Sequence, residues 1–218
     1  LSPRTTARPP RPPTRLENTV RRILAEPERS EAFRQLADRL RADLTQISGR
    51  SLVIAGIGPA SDTYEVVLHA AAILAEAGEP ILIIDGDMVR RSLTSELELK
   101  HGTGLVELAL GEIPEADPIQ ELTLVNLSIL PAGIARMPDP ASVTDRLTSL
   151  VESLEGSYRF VIIDAGRASD RAAATLARMC DASYFVARLG ETEASQAHAA
   201  LNTFRVAGAR LLGCIATS

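Results

Sequence analysis

Two stretches of this chain end alike: residues 81–85 read ILIID, and residues 160–166 read FVIIDAG. An unbroken aliphatic run has no polar face to offer to water, so it belongs to a strand covered on both sides, as parallel strands are. Between such runs the period changes to helical. Phe33, Leu36, Leu40, Leu44 and Ile47 recur at three- and four-residue steps from Ser30 to a stop at Gly49, and residues 66–77 form a second helical pattern closed by Gly78. The alternation continues. A strand is predicted at 51–55, a helical pair between Arg91 and Gly111, one or two strands in LTLVNLSILPAG and a helix over 140–154. A helix over 169–179, the strand ASYFVARLG, a helix over 193–206 and a last strand in ARLLGCIATS complete the series. Strands alternating with helices predict an α/β fold, a three-layer, doubly wound, mostly parallel sheet.

A chain of 218 residues with 45% apolar content can build one sizeable core. Its apolar runs fall far short of the roughly 20 residues that span a bilayer, and no stretch has the layout of a signal peptide. The expectation is a domain neither membrane-spanning nor secreted, with Cys180 and Cys214 as buried free thiols in a cytosolic setting. A net charge of −5 argues against a nucleic-acid partner, which demands a basic face. Residues 1–15, LSPRTTARPPRPPTR, run the other way, with four arginines, no acid and five prolines that block helix and sheet. Residues 1–29 therefore read as a disordered Pro/Arg-rich linker with a short helix, and 30–218 as the folded domain. The basic arm has two readings, a solvated linker or a segment lying near an anionic membrane surface or partner. A start at Leu rather than Met suggests a fragment of something longer.

The turn between the first strand and its helix is IAGIGPASDTYE, residues 54–65. A Gly-rich turn at this place is where α/β proteins hold phosphate, on the free N–H groups of the helix start. Open sheets of this kind put ligands beyond the carboxyl ends of the strands, where Asp85, Asp87 and Asp164 stand. Yet the single lysine among 23 basic residues is Lys100, outside the turn and the acid-tipped strands. A phosphate-loop lysine reaches the β and γ phosphates from the loop itself. Asp62 and Glu65 bring carboxylates instead, and two like charges about 4 Å apart repel by roughly 4 kcal/mol at an effective dielectric near 20. Asp62 followed by Glu65 is also a capping-box pattern, so the protein's own carboxylates are expected to fill the anion site.

Several segments, in order, resemble the bacterial tyrosine kinases of capsule and exopolysaccharide synthesis, P-loop proteins related to the partitioning and septum-placement ATPases. EAFRQLADRL is similar to the opening helix of that kinase domain, AEAGEPILIIDGDMVRRSL to the approach to its second Walker-type motif, and YRFVIIDAG to its Walker B strand. GTGLVELALGE, LSILPAG and the closing CDASYFVARLGETEASQAHAALNTFRVAGARLLGCIATS follow at matching spacings, so the resemblance covers about 31–218 and implies a P-loop NTPase-like fold. The family's loop, like PGEGKST, aligns with residues 59–65. Its lysine then falls on Thr63, the preceding glycine on Asp62 and the magnesium-holding hydroxyl on Tyr64. Starting from Gly58 instead puts Tyr64 at the lysine, and no register restores it.

The resemblance further implies that Asp85 and Asp87 lie near magnesium and the transferred phosphate, and that Asp164 holds magnesium through water. The other reading of these acids is that they cap turns and pair with Arg90, Arg91 or Arg167. Where the family has Thr-Pro-Pro after the Walker B acid, this chain has Ala165, Gly166 and Arg167; its tyrosines are Tyr64, Tyr158 and Tyr184 alone, so the family's tyrosine-rich tail is expected either to have been removed by truncation or never to have been present. The family's oligomer motif, ExxRxxR, is matched by Glu31 and Arg34, with Ala37 at the second arginine. An interface and a solvated helix face with a Glu31–Arg34 ion pair are both open. Together these features imply a pseudokinase with a degenerate Walker A motif, working as a scaffold or regulator in the cytoplasm at the inner face of the membrane. Its partners would be a membrane-anchored polysaccharide chain-length regulator, fused or separate, and further copies or a paralogue. No cofactor is expected in that reading. The alternative is a diverged kinase or ATPase that uses ATP and magnesium through Asp85, Asp87 and Asp164.

Overall fold

In the computed structural model, residues 13–58, 63–99, 102–114, 118–122, 125–136 and 139–218 are described. The aliphatic runs form the middle of one sheet: β1 (Ser51–Ile57), β2 (Ile81–Asp85) and β5 (Phe160–Arg167), with only Arg167 of their residues reaching solvent. β3 (Gln120–Leu122), β4 (Leu127–Leu130), β6 (Ala182–Arg188) and β7 (Leu211–Thr217) complete seven strands in the order β3-β4-β2-β5-β1-β6-β7. Among the described residues only the β3–β4 pair is antiparallel. The expected three-layer, doubly wound arrangement is what the sheet shows.

Alternating residues of each central strand feed two separate cores. Leu52, Ile54, Ile81, Ile83 and Ile162 face one side, where α2 (Pro27–Gln46), α3 (Thr63–Glu76) and α4 (Ser92–Glu96) pack. Val53, Ala55, Leu82, Ile84, Val161 and Ile163 face the other, against α5 (Leu105–Leu110), α6 (Thr144–Ser157), α7 (Arg171–Met179) and α8 (Ala194–Ala207). Each fully buried aliphatic side chain contributes about 1.5–3 kcal/mol, so the sheet is the least deformable part of the molecule. The predicted helix over 140–154 divides into a 3-10 turn, Pro140–Val143, and α6.

Two expectations change here. The first is the boundary at residue 30. α1 (Arg15–Ala25) starts at a Thr14–Glu17 capping box and buries Leu16, Val20 and Ile23 in the same core as α3, at 5%, 0% and 4% exposure. The domain thus includes α1, because three apolar residues at i, i+4 and i+7 make a stripe that the surrounding arginines disguise. The rest of the proposed linker, residues 1–12, lies outside the described residues. The second is Cys214, which is exposed while Cys180 is buried. β7 is an edge strand, and Cys214 falls on its outer face.

Candidate functional site

β2 and β5 run side by side with Asp85 opposite Asp164, and the turn after β2 carries Asp87 to the same place. The three predicted acids therefore form one cluster at the carboxyl end of the sheet, at 0%, 1% and 0% exposure. Gly86 and Gly166 allow this crowding. A Cβ on Gly166, whose φ is +63°, would lie 2.6 Å from Asp87 Cγ, and one on Gly86 would lie 2.8 Å from the side chains of Ile163 and Leu176.

Each carboxylate is held differently. Asp85 Oδ2 accepts from the backbone N and the hydroxyl of Thr94 at 2.7 and 2.6 Å, which ties α4 to the strand end. Burial pushes its carboxyl up to about 6, against the pull of those bonds. Asp87 is saturated: Oδ1 accepts from the backbone N of Val89 and Arg90, and Oδ2 from Ser92 Oγ at 2.7 Å and Arg90 Nε at 2.9 Å. Asp164 Oδ1 accepts from Thr63 Oγ1 at 2.5 Å and from the backbone N of Gly166 at 3.0 Å. Its Oδ2 is buried with no hydrogen-bond partner. Burial, reinforced by the neighbouring Asp85 and Asp87, pushes this carboxyl up to about 7.

The capping-and-pairing reading of these acids therefore holds for Arg90 alone among the three arginines. Arg91 instead donates from Nη2 to the carbonyls of Ile134 and Ala135 at 3.0 and 3.3 Å. The Nε of Arg167 is buried without a partner.

The expected alignment of the loop moves by one residue. Thr63, matched to the lysine, is the first residue of α3, is 1% exposed and points its hydroxyl at Asp164. Tyr64, matched to the hydroxyl position, is half-buried and packs against the core that α1 shares. Physically, the first residue of the helix faces the sheet and the second faces the neighbouring helix. Gly58 turns the chain into the loop at φ +84°, with Gln196 Oε1 3.0 Å from where a Cβ would sit. Asp62, and with it the expected cap, lies in residues 59–62, outside the described residues, as does Lys100. Glu65 is in the first turn of α3 and half-buried.

Sequence reasoning missed Thr94 and Glu107. Glu107, 5% exposed on α5, accepts from the backbone N of Gly104, Ile134 and Ala135 at 2.8, 2.9 and 2.7 Å. Burial alone would push its carboxyl up, and those N–H groups hold it below the usual range instead. The only sequence signal was a glutamate amid apolar residues in LVELAL. On α2, Glu31 and Arg34 are both exposed, and Glu31 Oε1 accepts from Gln35 Nε2 at 3.3 Å. Among the described residues no ion pair joins Glu31 to Arg34. Ala37 is 1% exposed, so the third position of that motif faces the core.

Comparison with known proteins places this geometry. No family model matches the sequence. The succinoglycan biosynthesis transport protein ExoP of Rhizobium meliloti is 27% identical over 202 residues, covering 89% of this chain and 26% of that protein. The tyrosine-protein kinase etk of Escherichia coli K12 is 26% identical over 189 residues, covering 85% of this chain and 26% of its own length. The solved kinase domain of Etk superposes with a TM-score of 0.80 at 26% identity, over 87% of this chain and 75% of that one. The BceF tyrosine kinase domain follows at 0.74 and 27%, over 86% and 76%. The chain is thus similar, in sequence and in fold, to bacterial tyrosine kinase domains. It spans about a quarter of the length of the curated relatives ExoP and etk.

In P-loop proteins magnesium is held between the loop Ser/Thr and the Walker B acid, and a lysine cradles the phosphates. Here Thr63 and Asp164 have the first arrangement, with one buried carboxylate oxygen left over. The phosphate half does not fit, since the loop sequence contains no lysine. Arg90, the cation that touches the acid cluster, is bound to Asp87. Among the described residues no group of three or more His, Cys, Asp or Glu is arranged to hold a metal ion, and no helix is long and apolar enough to cross a membrane.

Proposed function

We propose that this domain is a non-catalytic scaffold or regulator in the synthesis and export of exopolysaccharide or capsule polysaccharide, and that it does not bind ATP in the usual way. The observation that carries the proposal is the loop without a lysine beside three buried carboxylates, two of them with raised pKa values. A nucleoside triphosphate would bring more negative charge to a crevice that already disfavours its own. The relatives' names supply the setting: one is a succinoglycan biosynthesis transport protein, another a tyrosine-protein kinase. The partner in this reading is a membrane-anchored chain-length regulator, fused or separate, that holds the domain at the inner face of the membrane. Exposed Glu31 and Arg34 on α2 are the positions through which copies or a paralogue would dock.

One observation favours a second reading, a diverged ATPase or kinase. Asp164 Oδ2 is a buried acceptor without a donor, beside the Thr63 hydroxyl. Thr63 and Asp164 would hold magnesium there, which would supply charge neutralisation for phosphoryl transfer. Calorimetric titration with ATP and magnesium separates the readings. The scaffold reading expects no saturable heat, and a one-site isotherm with Kd tighter than about 10 μM would overturn it.

A further inference from the structure

Beside the acid cluster a second recess opens at the same end of the sheet, a cavity of ≈ 490 Å³. Arginines from three separate elements line it: Arg91 at the start of α4, Arg136 beyond β4, and Arg171, the first residue of α7. Arg91 is preset. Its Nη2 is spent on the carbonyls of Ile134 and Ala135, which leaves Nε and Nη1 with three N–H donors. The backbone it grips is fixed from beneath, since Glu107 Oε1 accepts from the N–H groups of both Ile134 and Ala135. Arg136 and Arg171 are exposed and take part in no ion pair among the described residues.

The same ledge lifts an apolar rim into solvent. Ile134 is 59% exposed, and Val89, also lining the recess, is 74% exposed. A single carboxylate, Asp170, stands in the wall, and burial and the Asp87 charge push its pKa up. Three guanidinium groups against one weakened acid call for an anion of more than one charge, and guanidinium forks match phosphate oxygens two at a time. Exposed aliphatic side chains beside those forks call for an apolar stem on the anion. A phosphate on an aromatic ring meets both demands, whereas a phosphate on a serine leaves the rim uncovered.

We propose that this recess binds a phosphotyrosine side chain presented by a peptide segment of a partner protein. The domain then reads tyrosine phosphorylation rather than performing it. The idea takes its biology from the scaffold reading, but its chemistry stands on the recess alone.

The test is fluorescence anisotropy of the whole chain with a short labelled phosphotyrosine peptide, its unphosphorylated twin and a phosphoserine version, with inorganic phosphate as competitor. The phosphotyrosine peptide should saturate, and each of the other two should bind at least about tenfold more weakly. Arg136→Glu combined with Arg171→Glu should weaken it by about a hundredfold, with unchanged circular dichroism and unfolding midpoint because both side chains are exposed. Inorganic phosphate should compete only at millimolar concentration. Absence of binding, equal binding of the twin or the phosphoserine peptide, indifference to the double substitution, or displacement by micromolar phosphate would each overturn the proposal. Nucleotide binding by the same protein would remove the scaffold reading and leave the peptide result standing. Loss of phosphotyrosine selectivity would do the reverse.

Discussion

Asp87 and Asp164 sit in one crevice, both sealed from water, and they are built for opposite purposes. Asp87 is closed: backbone N–H groups, a serine and an arginine occupy both of its oxygens and lock the turn after β2. Asp164 is open: one oxygen is fixed by Thr63 and Gly166, and the other has no donor at all. A saturated carboxylate is a structural part, and its removal is felt as lost stability. An unsaturated one is costly to keep charged, and its proton becomes the variable. The two sides of the crevice therefore differ, with the β2 side committed to the fold and the β5 side keeping one carboxylate oxygen unsatisfied.

The first expected effect breaks the closed half. Asp87→Ala removes the four side-chain bonds that brace the turn and leaves Arg90, 32% exposed at its side chain, beside an empty site. The loss should be about 3 kcal/mol, read as a shift of the urea midpoint. A loss under about 1 kcal/mol would mean that Asp87 is no more structural than a surface acid.

A comparable effect, about 4 kcal/mol for a carboxyl moved from 3.8 to about 7, should sharpen the open half through pH. The Asp164 carboxyl lies at about 7 in the fold and that of Asp85 at about 6, both above the 3.8 of an ordinary aspartate. At these two groups the native state binds more protons than the unfolded chain between about pH 4 and 7, so their contribution to stability falls as pH rises through that window. Asp164→Asn cannot titrate. Its stability curve should be flatter there, and the variant should exceed the parent protein at pH 8 by up to about 4 kcal/mol but not at pH 4. Parallel curves for the two proteins would contradict this account of Asp164.

The same contrast explains what could be read from the sequence. ILIID announced a strand from Ile81 to Asp85 with its acid at the tip, because an aliphatic run in a parallel sheet has one available state. With FVIIDAG it put Asp85 and Asp164 at the carboxyl ends of strands, and the register then sets the two opposite each other. α1 was harder, since Leu16, Val20 and Ile23 are scattered among arginines and gain meaning only against α3. The Thr63 assignment turned on one residue of register, which spacing in a loop does not set and a hydroxyl facing a carboxylate does. Glu107 and Thr94 were illegible for a further reason. Glu107 bonds to backbone groups 27 and 28 residues away, and Thr94 reaches back nine residues to Asp85, contacts that no local pattern encodes.

The central proposal, that no magnesium nucleotide joins Asp164, whose carboxyl is raised to about 7 by burial, is tested most directly by carbon-13 NMR. The Asp164 carboxyl resonance would be followed from pH 4 to 9, with and without millimolar ATP and magnesium. An apparent pKa of about 7 that the addition leaves in place is the predicted result. A fall into the ordinary carboxylate range when magnesium and ATP are added would show a metal on Oδ2 and contradict the account.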